Sequence, residues 1–104
     1  MLLKAESQSY PFILDDEMFV RRVWRELRGA RLPVVSPEDN VVFKAILQRG
    51  PEQGKHDLED LQTLLAAVGA GLDRDYVRCR AALCGGLARV QDCLARMEIG
   101  RAHV

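Results

Sequence analysis

Lys44, Arg49, Lys55, Asp57 and Asp60 fall within one stretch, KAILQRGPEQGKHDLED, on either side of a Gly-Pro-x-x-Gly loop. Lysine and arginine at such a loop can hold a triphosphate, and carboxylates beside them can orient the cations or help with a metal. If the loop folds back, the basic edge formed by Lys44 and Arg49 and the Lys55–Asp57–Asp60 cluster face one cleft. A second reading uses the same residues. Acidic side chains at a helix start cap it and solvate its outer face, each for about 0.3–1 kcal/mol.

The elements that must position these groups are helices. In SPEDNVVFKAILQRG, Ser36 stands where an N-cap belongs and Pro37 at the first helical position needs no amide hydrogen. Asp39, three residues on, can close a capping-box-like exchange. Val42, Phe43, Ile46 and Leu47 form the buried stripe, and Lys44 lies at its edge. The next helix begins within KHDLEDLQTLLAAVG, with Leu58, Leu61, Leu64, Leu65 and Val68 inward and Gly69 as its stop. Asp57 and Asp60, three apart, share a face near its start.

A further helix starts after the Asp73 cap and carries Tyr76, Val77, Arg80 and Leu83. Gly85 and Gly86 break or kink it, and Leu87, Val90 and Leu94 continue the period to about Met97. Upstream, DDEMFVRRVWRELRG spaces Phe19, Val20, Val23, Trp24 and Leu27 at threes and fours, which predicts an amphipathic helix from Asp15 or Asp16 to Gly29. Its arginines could bind phosphate or form a solvated face. SYPFIL, broken by Pro11, reads as an edge strand or extended lead-in, and ARLPVVS as a short strand. The expected fold class is mainly α: about four helices, with one to three short strands before Ser36.

Composition bounds the function. At 104 residues the chain is at most one small domain. Fifteen basic residues balance fifteen acidic ones, so no net field attracts nucleic acid, DNA included, or an anionic membrane, and any binding is local. No run approaches the ~20 apolar residues of a membrane span. Cys79, Cys84 and Cys93 are an odd count with no CxxC pair, which predicts reduced thiols, no metal ligands and a cytoplasmic setting. The segment EIGRAHV, residues 98–104, can be back-translated to the start of a common sequencing adapter. That match predicts a domain over residues 1–97, a tail in which His103 has no function, and an internal start at Met1.

The ordered run SPEDNVVFKAILQRGPEQGKHDLEDLQTLL, followed by LDRDYVRCRA, resembles the C-terminal part of bacterial and archaeal nucleotidyltransferase-fold proteins, the group that includes AbiEii-like toxins of type IV toxin–antitoxin systems. The resemblance covers Leu32 to Ala82 well and Asp15 to Gly29 loosely. It implies that the chain is the C-terminal portion of an α+β fold. Lys44 matches the lysine of the family's third motif, a candidate contact to nucleotide phosphates. Asp57 and Asp60, with Lys55 ahead of them, match the fourth, and Arg49 stands where an arginine ends the motif-three helix. By this resemblance Lys44, Asp57 and Asp60 are the catalytic candidates, while Arg49 and Lys55 are the substrate-binding ones.

For the intact protein the resemblance implies magnesium, an NTP, an RNA or protein acceptor, and an antitoxin as a possible partner. The family's first motif, a Gly-Ser pair followed by Asp-x-Asp or Asp-x-Glu that holds two magnesium ions, is not found in this sequence. Asp15, Asp16 and Glu17 are adjacent and follow no Gly-Ser. The expectation is a chain inactive by itself. The alternative from another class is a small helical interaction module whose Trp24 and arginines dock a protein partner. A helix-turn-helix nucleic-acid binder is disfavoured by the neutral charge and the lack of a basic recognition helix.

Overall fold

A computed structural model describes residues 1–102, with side chains described for residues 1–98; His103 lies outside the described residues. The order of elements is β1 (Leu2–Ala5), β2 (Gln8–Pro11), α1 (Asp16–Val20), β3 (Val23–Leu27), β4 (Ala30–Val34), α2 (Pro37–Leu47), α3 (Asp57–Val68), α4 (Arg74–Leu83) and α5 (Leu87–Ala102). The chain is thus mainly helical, with short strands confined to the region before Ser36. Four strands form, one more than the upper expectation, as two separate antiparallel hairpins.

Helix α2 sits at the centre, against α3, α4, α5 and β1. Val41, Val42, Ala45 and Ile46 on it are wholly buried. Burying one such side chain contributes roughly 1.5–3 kcal/mol, so this helix anchors the core. Its start is as expected: the Ser36 hydroxyl accepts from the Asp39 amide at 3.1 Å. At the other end Arg89 Nε donates to the Ile46 carbonyl at 2.6 Å, satisfying one of the acceptors that every helix terminus leaves open. The β1–β2 hairpin closes the core with Leu3, Ala5 and Tyr10 on one face. The α4–α5 junction comes so close to α2 that a Cβ on Gly86 would meet Ile46 at 3.2 Å and Tyr10 at 3.3 Å.

The helix expected from Asp15 to Gly29 is corrected. Asp15 does cap a helix, accepting from the Met18 amide, but α1 ends at Val20. Val23–Leu27 is then a strand paired with Ala30–Val34, with Val23 opposite Val34 and Leu27 opposite Ala30. Arg28 and Gly29 form the turn, both with positive φ, 52° and 80°. A two-residue turn with both central residues left-handed matches the twist of the flanking strands, and glycine adopts that conformation without strain. Phe19, Val20, Trp24 and Leu27, expected inside, are exposed. Helix α5 also continues beyond Met97, and Arg74 pairs with Glu98 at 2.5 Å.

All three cysteines are free; Cys84 and Cys93 are buried and Cys79 is exposed. Burial pushes both inner thiols upward. An aromatic disulfide reagent at neutral pH is therefore expected to titrate one thiol per native chain, and three after denaturation. Rapid reaction of more than one thiol in the native protein would contradict this packing. No helix among the described residues is long and apolar enough to cross a membrane.

Candidate functional site

Gln48, with φ 48°, ends α2 in the left-handed conformation and turns the chain back. Gly50 to Gly54 then make one 3-10 turn around Pro51–Gln53, which returns the backbone to the start of α3. The reversal brings Arg49 onto Asp57. The Arg49 amide donates to Asp57 Oδ2 at 2.8 Å, Nε to the same oxygen at 2.8 Å, and Nη2 to Oδ1 at 3.3 Å. In return the Asp57 amide donates to the Arg49 carbonyl at 3.1 Å. The guanidinium also lies 5.5 Å from the centre of the Phe43 ring, within cation–π range.

Lys44 joins the same cluster from α2. Its Nζ is 2.9 Å from Asp60 Oδ2 and 3.5 Å from Asp57 Oδ1. The two aspartates differ sharply in setting, because the Asp57 side chain is 1% exposed and that of Asp60 53%. Burial alone would raise the Asp57 carboxyl. The hydrogen bonds from the Arg49 side chain and amide, with the charges of Arg49 and Lys44, outweigh burial and hold it below the ordinary carboxylate value. Beside Lys44 a concavity of about 320 Å³ opens between α2 and α3, lined by Asn40, Lys44, Asp60, Thr63, Leu64 and Ala67.

Four of the five sequence-derived candidates, Lys44, Arg49, Asp57 and Asp60, therefore meet. Lys55 does not join them. Its amide donates to the Gly50 carbonyl at 3.2 Å, its side chain is exposed, and it makes no ion pair among the described residues. The loop spends its reversal on bringing residue 49 to residue 57, which leaves residue 55 on the outside.

A second polar cluster escaped the sequence reading. Asp39 is buried and accepts from Ser36 Oγ at 2.9 Å and from the Tyr76 hydroxyl at 2.9 and 3.1 Å, with Arg80 Nε 3.6 Å away. Arg80, itself buried, donates to Asp15 at 2.7 Å and to the Ile13 carbonyl. Burial first, then the bond to Asp39, pushes the Tyr76 phenol well above its usual value. Glu38 completes the link by accepting from the Asp73 amide at 3.1 Å. The Pro-Glu-Asp start of α2 and the Leu-Asp-x-x-Tyr start of α4 are thus one bonded unit. The signal for it was available: an arginine inside the apolar period of α4 must find buried acceptors.

The chain matches no known family model, no curated protein and no solved structure. The described residues also hold no group of three or more His, Cys, Asp or Glu side chains placed to bind a metal ion. No step through the magnesium that the resemblance implies for an intact nucleotidyltransferase is assigned to these residues.

Proposed function

We propose that this chain is the helical C-terminal portion of a nucleotidyltransferase, in which Lys44 contacts the phosphates of a nucleoside triphosphate. The observation that supports this most directly is the placement of Lys44, with its ammonium between two aspartates of unequal burial at the edge of an open concavity. Asp57, buried and locked by Arg49, keeps the lysine ammonium aimed. Asp60 is the replaceable partner, because an exposed ion pair is worth only about 0–1 kcal/mol and a phosphate can displace it. Arg49 then positions Asp57 rather than gripping the substrate, and Lys55 reaches the phosphates only from the loop.

In this reading transfer needs residues beyond those described here to hold the metals. Incubating the 104-residue chain with labelled NTPs, RNA or protein acceptors, and magnesium or manganese is expected to give no incorporation. Weak triphosphate binding, falling as salt rises and lost in Lys44→Ala, is the expected positive result. In a longer protein that carries the metal-binding motif, Lys44→Ala lowers transfer without unfolding the helices. Label incorporation by the short chain above a no-protein control would sink the incomplete-enzyme reading, and unchanged binding in Lys44→Ala would remove the role of that lysine.

One observation favours the second reading, an interaction module. Leu27, Leu32 and Val34 share one face of the β3–β4 hairpin and remain exposed, a surface that a protein partner could cover.

A further inference from the structure

The β3–β4 hairpin has a second face with different chemistry. Alternation along the strands places Trp24, Glu26, Arg31 and Pro33 on it, with Arg22 just before the first strand. The Arg22 guanidinium lies 3.7 Å from the centre of the Phe19 ring and 5.6 Å from that of Trp24, and the Arg31 guanidinium lies 5.4 Å from Trp24. Trp24 is 44% exposed and Phe19 64%. On this face Arg22 and Arg31 stand with the single acid Glu26, which lies directly across from Arg31, while Arg25 is on the opposite face and Arg28 in the turn. None of the four pairs with a carboxylate among the described residues.

The arginines of this face exceed its acids by one, on a chain with no net charge. A solvated salt-bridged face would mate its arginines with acids; here two of them flank an exposed indole instead. Guanidinium groups beside an open aromatic ring suit a ligand that offers flat π-faces and anionic groups in alternation. Single-stranded nucleic acid has that chemistry, its bases stacking on the aromatic ring while its phosphates meet the cations. A folded duplex hides its base faces and fits less well. An acidic peptide would satisfy the charge but leave the indole without a stacking partner.

We infer that the Phe19–Arg22–Trp24–Arg31 face of the β3–β4 hairpin binds single-stranded nucleic acid, with a base stacked on Trp24 between the two guanidinium groups. The inference does not depend on the nucleotidyltransferase reading, since it uses none of Lys44, Arg49, Asp57 or Asp60.

Trp24 is the chain's one tryptophan, so its fluorescence reports the site directly. The full chain is titrated with short oligouridylate, oligothymidylate, a matched duplex and heparin. Saturable quenching by either single strand is expected, weakening as salt rises, with less response to the duplex. Binding of either sugar supports the site, and a preference identifies the natural one. Heparin, charged but without bases, should compete without quenching. Arg22→Ala and Arg31→Ala should each weaken binding about fivefold or more, while Gln62→Ala on the exposed side of α3 leaves it unchanged, circular dichroism confirming that all three fold. No saturable quenching, or quenching by heparin equal to that by oligonucleotides, would overturn the inference. Equal loss in Gln62→Ala would overturn the placement of the site, and tight capture of an acidic peptide with no response to oligonucleotides would overturn the inference in favour of a protein-docking surface.

Discussion

Asp57→Ala is expected to destabilise the fold by about 3–5 kcal/mol, the cost of removing one partner from a buried ion pair. The Asp57 side chain is 1% exposed and takes three hydrogen bonds from Arg49, one of them from the backbone amide. Without the carboxylate, that amide and the guanidinium have no acceptor, and the loop from Arg49 to His56 loses the contact that closes it. Asp60→Ala removes only an exposed partner of Lys44 and should cost less than about 1 kcal/mol. Urea denaturation of the two variants measures the contrast. Equal and small losses would show that Asp57 is merely a helix-start charge.

The same carboxylate gives the fold a pH dependence of known sign. Its value in the folded state is lowered, so its contribution is complete above the unfolded aspartate value of about 3.9. The contribution is lost as pH falls from there through the lower folded-state value. Asp57→Asn should be less stable at neutral pH, and its stability should fall less than that of the native protein between pH 5 and pH 2, as approximate bounds of the window.

Asp39→Ala is the second large effect, also expected at about 3–5 kcal/mol. It would leave the buried Tyr76 hydroxyl without its acceptor and Arg80 with fewer compensating charges. Tyr76→Phe removes the neutral partner alone and should cost roughly 1.5–3 kcal/mol, the range for a hydrogen bond to a charged group. Because the two residues share one bond, the double variant should be less unstable than the sum of the singles, by about 0.5–3 kcal/mol in a double-mutant cycle. Strict additivity would mean that the α2 and α4 starts are not coupled through this contact.

Helix α2 was legible in the sequence because its determinants are local. Ser36, Pro37 and Asp39 specify a start within four residues, and Val42 and Ile46 specify a face one turn apart. The same holds for α3 up to Gly69, where Leu61 and Leu65 are buried although Leu58, expected inward, is exposed, and for α4 from the Asp73 cap. The meeting of Lys44 and Arg49 with Asp57 and Asp60 was legible only in outline, as charges on both sides of a reversing loop. Sequence spacing could not separate Asp57 from Asp60, which lie three residues apart on one helical face. Only the returning backbone of Arg49, laid over Asp57, buries one aspartate and leaves the other in water.

Tertiary structure alone decided the fate of residues 16–34. Phe19, Val20, Val23, Trp24 and Leu27 fit a helical period, yet an amphipathic helix of that length is stable only where its apolar face has a surface to cover. In this chain α2 is already enclosed by α3, α4, α5 and β1. The segment satisfies its backbone by pairing across the Arg28–Gly29 turn instead, through hydrogen bonds that belong to two strands and to neither alone. The arginine-flanked Trp24 face exists only because of that pairing, since Arg31 reaches the indole from the opposite strand. A one-dimensional pattern records which residues recur; which surface they meet, and hence which become a core and which become a site, is set by the packing of the whole chain.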